Sequence, residues 1–169
     1  QVPVSGAPQG TFLNYTLRDP VGVCGFIVPW NFPLTMCIWK LAPAMAVGCT
    51  AILKPAEQTP LIAVRLMQLF QEAGFPAGVV NLVTGTGRDV GEPLSAHMQV
   101  NKVAFTGSTA VGKAIAQQAT SNMKRVTLEL GGKSPNIILP DADLSKAIPG
   151  AAQAIFYNQG QVCTAGSRL

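Results

Sequence analysis

Charged residues are scarce in this sequence. Only 12% of its 169 residues are Asp, Glu, Lys or Arg, whereas 48% are hydrophobic. This fraction of charged residues is low for a domain standing alone in water, so we expect either extensive burial or apolar surface that meets a further segment. The net charge of +4 comes from dispersed Lys and Arg, with Lys124 and Arg125 the only adjacent pair. The sequence therefore predicts no basic patch for nucleic acid.

Histidine is also scarce, and closely paired cysteines are missing. His97 is the only histidine, and no two of the four cysteines have the C-x-x-C spacing typical of a structural zinc site. Cys24, Cys37 and Cys49 lie in apolar runs, as buried free thiols do, which favours a reducing, cytoplasmic compartment. The uncharged stretch 20–39 is interrupted by prolines and glycines, so we expect no membrane span.

From residue 21 onward, short apolar segments alternate with helical patterns. Strands are expected at 21–28, 51–54, 79–83, 103–106, 125–129 and 136–139. Helices are expected from a Thr59 N-cap to Gly74, around 89–97, and over 108–119 and 142–157. This order predicts an α/β fold, a Rossmann-like parallel sheet with helices on both faces. Ligands of such sheets bind beyond the carboxyl ends of the strands.

The run VAFTGSTAVGKA is the sharpest local motif. Gly107 permits a tight turn, Ser108 can cap the next helix and attract a phosphate to its free amides, and Gly112 allows close helix–sheet approach. A nucleotide triphosphatase P-loop is an alternative, with Asp141 as its metal-binding acid, but Ala114 replaces the required hydroxyl. A purely structural strand-to-helix turn fits the motif as well. The dinucleotide pattern G-x-G-x-x-G is absent.

Several polar residues in loops or near strand ends are candidates for chemistry. Cys163 lies in the loop NQGQVCTAGSR, where a nucleophile would be accessible, although the loop taken in isolation favours an ordinary thiol. Glu129, near the end of an apolar strand, is either a general base or an outward-pointing side chain. Asn31, between two prolines, can offer a rigid amide to an oxyanion, or simply belong to a packed loop. Lys54 and Glu57 can bind a ribose or form a surface ion pair.

Six segments occur together and in order: PWNFP, KPAEQTP, GFPAGVVNLVTG, VAFTGST-x-x-GK, LELGGKSPNII and FYNQGQVCTAGSR. They resemble the aldehyde dehydrogenase superfamily, closely over 20–169 and loosely over 1–19. The resemblance implies oxidation of an aldehyde to a carboxylic acid with NAD(P)+ through a cysteine thiohemiacetal and thioester. It implies Cys163 as nucleophile, Glu129 as general base and Asn31 as oxyanion-hole amide. It also implies cofactor contacts from Trp30, Lys54, Glu57, Gly87, Gly107, Ser108, Leu130 and Gly131.

The resemblance implies a domain plan as well. Residues 1–20 would form part of an oligomerisation arm, 21–131 part of the NAD(P)-binding domain, and 132–169 the start of the catalytic domain. NAD is favoured over NADP because the charge of Glu57 would repel a 2′-phosphate, although Lys54 can tolerate one. The family's chains are longer at both ends and form homodimers or homotetramers. We therefore expect a fragment of such an enzyme, with a non-catalytic nucleotide-binding fragment as the alternative.

Overall fold

The computed structural model describes residues 14–169. Most of the predicted oligomerisation arm, residues 1–13, lies outside the described residues. Residues 14–20 are exposed and have no regular secondary structure. Within the described part of the chain, no helix has both the length and the apolar character needed to cross a membrane.

A parallel five-stranded sheet forms the centre of the structure. Its strands are β1 (Val23–Ile27), β2 (Thr50–Lys54), β3 (Val80–Leu82), β4 (Lys102–Gly107) and β5 (Arg125–Leu130), in the order β3-β2-β1-β4-β5. β2 and β4 flank β1 on opposite sides, so the direction of strand addition reverses after β3. Such a reversal opens a crevice at the carboxyl ends of β1 and β4. The predicted α/β class is confirmed.

Five α-helices connect or follow the strands: α1 (Pro33–Ala46), α2 (Pro60–Glu72), α3 (Glu92–Ala96), α4 (Thr109–Ala119) and α5 (Leu144–Phe156). A π-helical turn, Gly87–Gly91, leads into α3, and short 3-10 turns occupy Thr120–Asn122 and Tyr157–Gly160. The α1 and α2 helices pack together, as do α3 and α4. The two pairs supply the side chains of two separate apolar clusters, one for each face of the sheet.

Alternation along β1 shows how the two faces are filled. Cys24 and Phe26 belong to the cluster that contains α1 and α2, whereas Ile27 belongs to the cluster with Leu94 of α3 and Ile115 of α4. Because successive side chains of a strand point to opposite faces, an apolar run with no polar alternation is needed to cover both. This is why the strand candidates read as continuous apolar segments.

The α1 helix was not predicted. Pro33 stands in its first turn, where the missing N–H costs nothing, but Pro43 lies inside it and removes a backbone donor. The helix is retained because it buries Met36, Cys37 and Leu41 against the sheet. Tertiary packing therefore outweighs a local signal that argues against a helix.

The strand prediction for 136–139 is wrong. The chain leaves the sheet after β5, and the nearest ladder contact is a single parallel bridge between Pro135 and Arg168. Ile137 and Leu139 are exposed in the described structure. An apolar run can be identified from sequence, but whether a neighbouring strand stands beside it cannot.

The α2 helix buries Ala63 and Leu66 against the sheet, whereas Ile62 and Leu69 are largely exposed. Thr59 occupies the predicted N-cap position, but its hydroxyl makes no cap hydrogen bond. The N-cap of α5 is Asp143, and its carboxylate accepts from the Ser145 N–H at 3.0 Å.

Candidate active site

A cleft of about 440 Å³ opens at the carboxyl ends of β1, β2 and β4, on the α3–α4 face of the sheet. This volume is typical of small-molecule sites. The cleft brings together six of the eight predicted cofactor residues: Trp30, Lys54, Glu57, Gly87, Gly107 and Ser108. The residues come from five separate loops or strand ends, and the strand order is what places them side by side.

Ser108 caps α4 as predicted, since its Oγ accepts from the Val111 N–H at 3.4 Å. The first amides of this 11-residue helix therefore face the cleft, where the helix dipole favours an anion. The reason for Gly107 differs from the prediction. It ends β4 rather than turning, and a Cβ there would collide with the ring of Phe105. Gly112 does allow close approach, because a Cβ would lie 2.6 Å from Leu130 Cδ2.

Lys54 and Glu57 are not a surface ion pair. Lys54 is buried and its Nζ donates to the Pro55 carbonyl at 3.0 Å, while burial lowers the pKa of its ammonium, with Glu57 opposing that shift. Glu57 is exposed, and its Oε1 accepts from the Gly87 N–H at 2.8 Å. This bond joins the loop after β2 to the π-helical turn, so two of the predicted cofactor residues hold each other in place.

Leu130 and Gly131 are the two predicted cofactor residues that do not line the cleft. Leu130 packs instead with the apolar cluster beneath α4, next to Gly112. Gly131 follows at the exit of β5. Their roles as cofactor contacts stay predictions.

The loop of Cys163 is anchored to the loop of Asn31. The Asn31 Nδ2 donates to the Gln161 carbonyl at 2.8 Å, and the Asn158 Nδ2 donates to the Asn31 carbonyl at 3.3 Å. The rings of Phe32 and Tyr157 stack with centroids 6.1 Å apart. The prolines of PWNFP and these contacts make the Asn31 amide rigid, and one of its two N–H donors remains available.

Left-handed backbone shapes the approach to Cys163. Asn158 and Gln159 have φ of 49° and 61°, and Gly160 follows at 76°. A left-handed conformation is unfavourable for glutamine, so such strain is kept only where surrounding contacts impose it, often at functional sites. Here the turn directs the Gln161 carbonyl toward Asn31. Cys163 itself is exposed, and its carbonyl oxygen would lie 3.3 Å from a Cβ at Gly132, just beyond β5.

Glu129 lies apart from the cofactor cleft. It pairs with Thr106 across β4 and β5 and lines a second cavity of about 500 Å³ on the α1 face of the sheet. Glu129 is exposed in the described structure. Glu129 and the predicted cofactor residues of the cleft therefore do not share a pocket, and the sheet lies between them.

Lys40 of α1 is a site residue that the sequence reasoning missed. Its Nζ donates to the Thr106 Oγ1 at 2.9 Å and lines the same cavity as Glu129. Burial lowers the pKa of the Lys40 ammonium, and the nearby Glu129 charge acts in the opposite direction. A signal was available, because Lys40 is the only charged residue between Asp19 and Lys54. A lone charge in so apolar a stretch favours a specific partner.

The sequence model of the aldehyde dehydrogenase family matches residues 3–169. The chain belongs to the aldehyde dehydrogenase family. It is 60% identical over 162 residues to aldehyde dehydrogenase 1A1 of Oryctolagus cuniculus, covering 95% of this chain and 33% of the relative. It is 58% identical to retinal dehydrogenase 2 of Taeniopygia guttata, covering 95% of this chain and 31% of the relative. The chain therefore spans about a third of the length of these aldehyde dehydrogenases.

Solved aldehyde dehydrogenases share the fold. The NAD+ complex of the Bacillus cereus aldehyde dehydrogenase superposes with a TM-score of 0.87 at 60% identity, covering 88% of this chain and 30% of that one. PnpE in complex with nicotinamide adenine dinucleotide superposes with a TM-score of 0.88 at 55% identity, covering 90% of this chain and 31% of that one. Family membership thus accounts for a sheet and a cleft that sequence motifs alone left open to other classes.

Proposed function

We propose that this chain supplies the cofactor site and the nucleophile of an NAD+-dependent aldehyde dehydrogenase, acting within a chain of the family's full length. The observation that supports this most is the arrangement of the two loops. An exposed cysteine, unlike the other three, stands on a loop that is hydrogen-bonded to the rigid Asn31 amide. Family membership gives that arrangement its chemical meaning.

The first step is addition to the aldehyde. The thiolate of Cys163 attacks the carbonyl carbon, forming a C–S bond while the carbonyl electron pair moves to oxygen. The remaining Nδ2 donor of Asn31 stabilises this oxyanion, together with the main-chain N–H of Cys163. Loss of one such donor typically costs about 10²–10³ in rate. The product on the enzyme is a thiohemiacetal.

The residues of the cleft fit a dinucleotide. The free amides of α4 behind Ser108 suit a pyrophosphate, and Lys54 and Glu57 suit the hydroxyls of a ribose. Trp30, on the far side of the loop after β1, would border the nicotinamide. When bound there, NAD+ would supply the acceptor for the hydride that leaves the thiohemiacetal carbon, and the oxyanion electron pair would re-form the carbonyl, so that a thioester remains on Cys163. NAD is preferred to NADP because Glu57 carries a negative charge at the ribose.

Hydrolysis of the thioester needs a base. Glu129 takes a proton from water, whose oxygen then attacks the thioester carbon and releases the carboxylic acid and the Cys163 thiolate. Glu129 stands three residues before Gly132, where a Cβ would lie 3.3 Å from the Cys163 carbonyl oxygen, and it lines the same cavity as Lys40. The Glu129 charge opposes the lowering of the Lys40 pKa by burial.

The remaining family properties are proposed on the same basis. Residues 21–131 form part of the NAD-binding domain, 132–169 begin the catalytic domain, and 1–20 contribute to an arm that joins subunits into a homodimer or homotetramer. The substrate is a small-molecule aldehyde, and the location is cytoplasmic. The triphosphatase alternative lacks its metal-binding acid. Asp141 lines a cavity that does not include Ser108, and the segment 136–139 directly before it is not a strand.

The test uses Cys163→Ser in the full-length enzyme. Turnover of aldehyde should disappear, whereas NAD+ affinity should stay unchanged because Cys163 does not line the cleft. Cys37→Ala is a matched control, since it removes a thiol of α1 that is buried in the core. Retention of most activity by Cys163→Ser would refute the role of Cys163. Cofactor binding by the wild type without any aldehyde turnover would favour the alternative, a non-catalytic nucleotide-binding protein.

A further inference from the structure

One wall of the cofactor cleft is a stripe along α4. Val111, Ala114, Ile115 and Gln118 all line the cleft, at the spacing that places residues on one helix face. The first three are apolar and offer only a surface for a flat ring. Gln118 is different, because it ends the stripe with an amide that both donates and accepts hydrogen bonds.

The Gln118 amide is poorly satisfied by the protein. Its Oε1 is shielded from solvent and has no hydrogen-bond partner among residues 14–169. A buried acceptor without a donor is unfavourable, and natural structures usually supply a partner. Since the side chain borders the cleft, a rotation of the amide toward the cleft would let a bound ligand supply that donor.

The position of Gln118 suits the base of the cofactor. Ser108 marks the pyrophosphate end of α4, and Gln118 lies about 15 Å further along the helix axis. Its side chain leans back toward the start of the helix, as helical side chains do. Lys54 and Glu57, which line the same cleft, are the residues proposed to bind the ribose. The base attached to that ribose must therefore lie against the α4 stripe, with its outer edge toward Gln118.

We propose that the Gln118 side chain recognises the adenine of NAD+, with Oε1 accepting from the 6-amino group and Nε2 donating to a ring nitrogen. Glutamine pairs with the edge of adenine in this manner in other recognition systems. The proposal rests on the proposed cofactor function and adds a specificity determinant for the adenine end. Gln118 touches the cofactor but not the reacting atoms, so its contribution appears in affinity.

The experiment measures dissociation constants in the full-length enzyme for NAD+ and for an analogue that carries hydrogen in place of the 6-amino group. The wild type should bind the analogue about fivefold more weakly, the usual value of one neutral hydrogen bond. Gln118→Met, which keeps the shape of the side chain but loses both hydrogen bonds, should bind NAD+ about 25-fold more weakly and no longer distinguish the two ligands. Gln118→Glu keeps an acceptor and should restore the preference for NAD+.

Gln117→Met is the matched control, because Gln117 is exposed on the same helix and does not line the cleft. It should behave as the wild type toward both ligands. An unchanged NAD+ affinity in Gln118→Met, with the preference over the analogue intact, would overturn the proposal. Failure of the wild type itself to bind NAD+ would instead refute the proposed cofactor function, so the two failures are distinguishable.

Discussion

Alkylation should distinguish Cys163 sharply from the other three cysteines. Cys24, Cys37 and Cys49 are 2%, 0% and 4% exposed, whereas the Cys163 residue is exposed on its loop. A thiol must be both reachable and deprotonated to react. A limiting amount of an alkylating agent, added to the full-length enzyme near neutral pH, should therefore modify Cys163 first.

The structure gives the size of this difference. Burial raises the pKa of the Cys24 and Cys37 thiols to about 11, so roughly one molecule in 10⁴ holds either of them as thiolate near neutral pH. Reagent also reaches a core strand or a packed helix only when the structure opens, which costs roughly 5 kcal/mol or more. The raised pKa alone should slow Cys24 and Cys37 by about 10²-fold relative to a thiol of ordinary pKa, and the cost of opening alone should slow the buried thiols by about 10³-fold or more. Labelling of Cys24 and Cys37 should rise with pH up to about 11, as their thiolates form.

The assay is a time course quenched with excess thiol and followed by mass mapping of the labelled peptides. Cys163→Ser is the control, because it should remove the fast phase and leave the slow ones in place. Faster labelling of Cys24, Cys37 or Cys49 than of Cys163 would mean that the wrong cysteine has been chosen as nucleophile. Equal rates at all four positions would contradict the buried environments on which the reasoning depends.

Two further predictions concern charge. Glu57→Gln keeps the acceptor for the Gly87 N–H but removes the negative charge. Because Glu57 is exposed, the ratio of kcat/KM for NADP+ to kcat/KM for NAD+ should rise about fivefold in this variant. A wild-type preference for NADP+ would contradict the role of Glu57. Lys124→Met should lower the free energy of unfolding in urea by about 2–4 kcal/mol, because the buried Nζ donates to two carbonyls at 2.7 and 2.8 Å. Lys146→Met, at a side chain 86% exposed, should change nothing measurable, and equal losses in both lysine variants would refute the burial argument.

Much of the fold could be predicted because its signals are local. The segments β1 to β5 are apolar runs, and Ser108 and Asp143 stand at helix starts as their side-chain chemistry suggests. The α1 helix could not be predicted, because Pro43 argues against it and only its packing on the sheet favours it. The segment 136–139 reads as a strand for the same reason as the true ones, yet it lacks a neighbour in the described structure.

The candidate site also has features that local sequence predicts and features that depend on packing. The motifs around Asn31, Glu129 and Cys163 identify the family and single out an exposed thiol, since each depends on residue types within a few positions. The mutual arrangement of these three motifs, by contrast, does not follow from residue types within a few positions. The Asn31 amide meets Gln161 across 130 residues of chain, and pleating of β5 turns Glu129 away from the cleft toward Lys40. The sequence by itself determined which groups are candidates for the chemistry, whereas the tertiary structure decided which of them meet, because contacts between distant segments depend on strand order and on the face each strand presents.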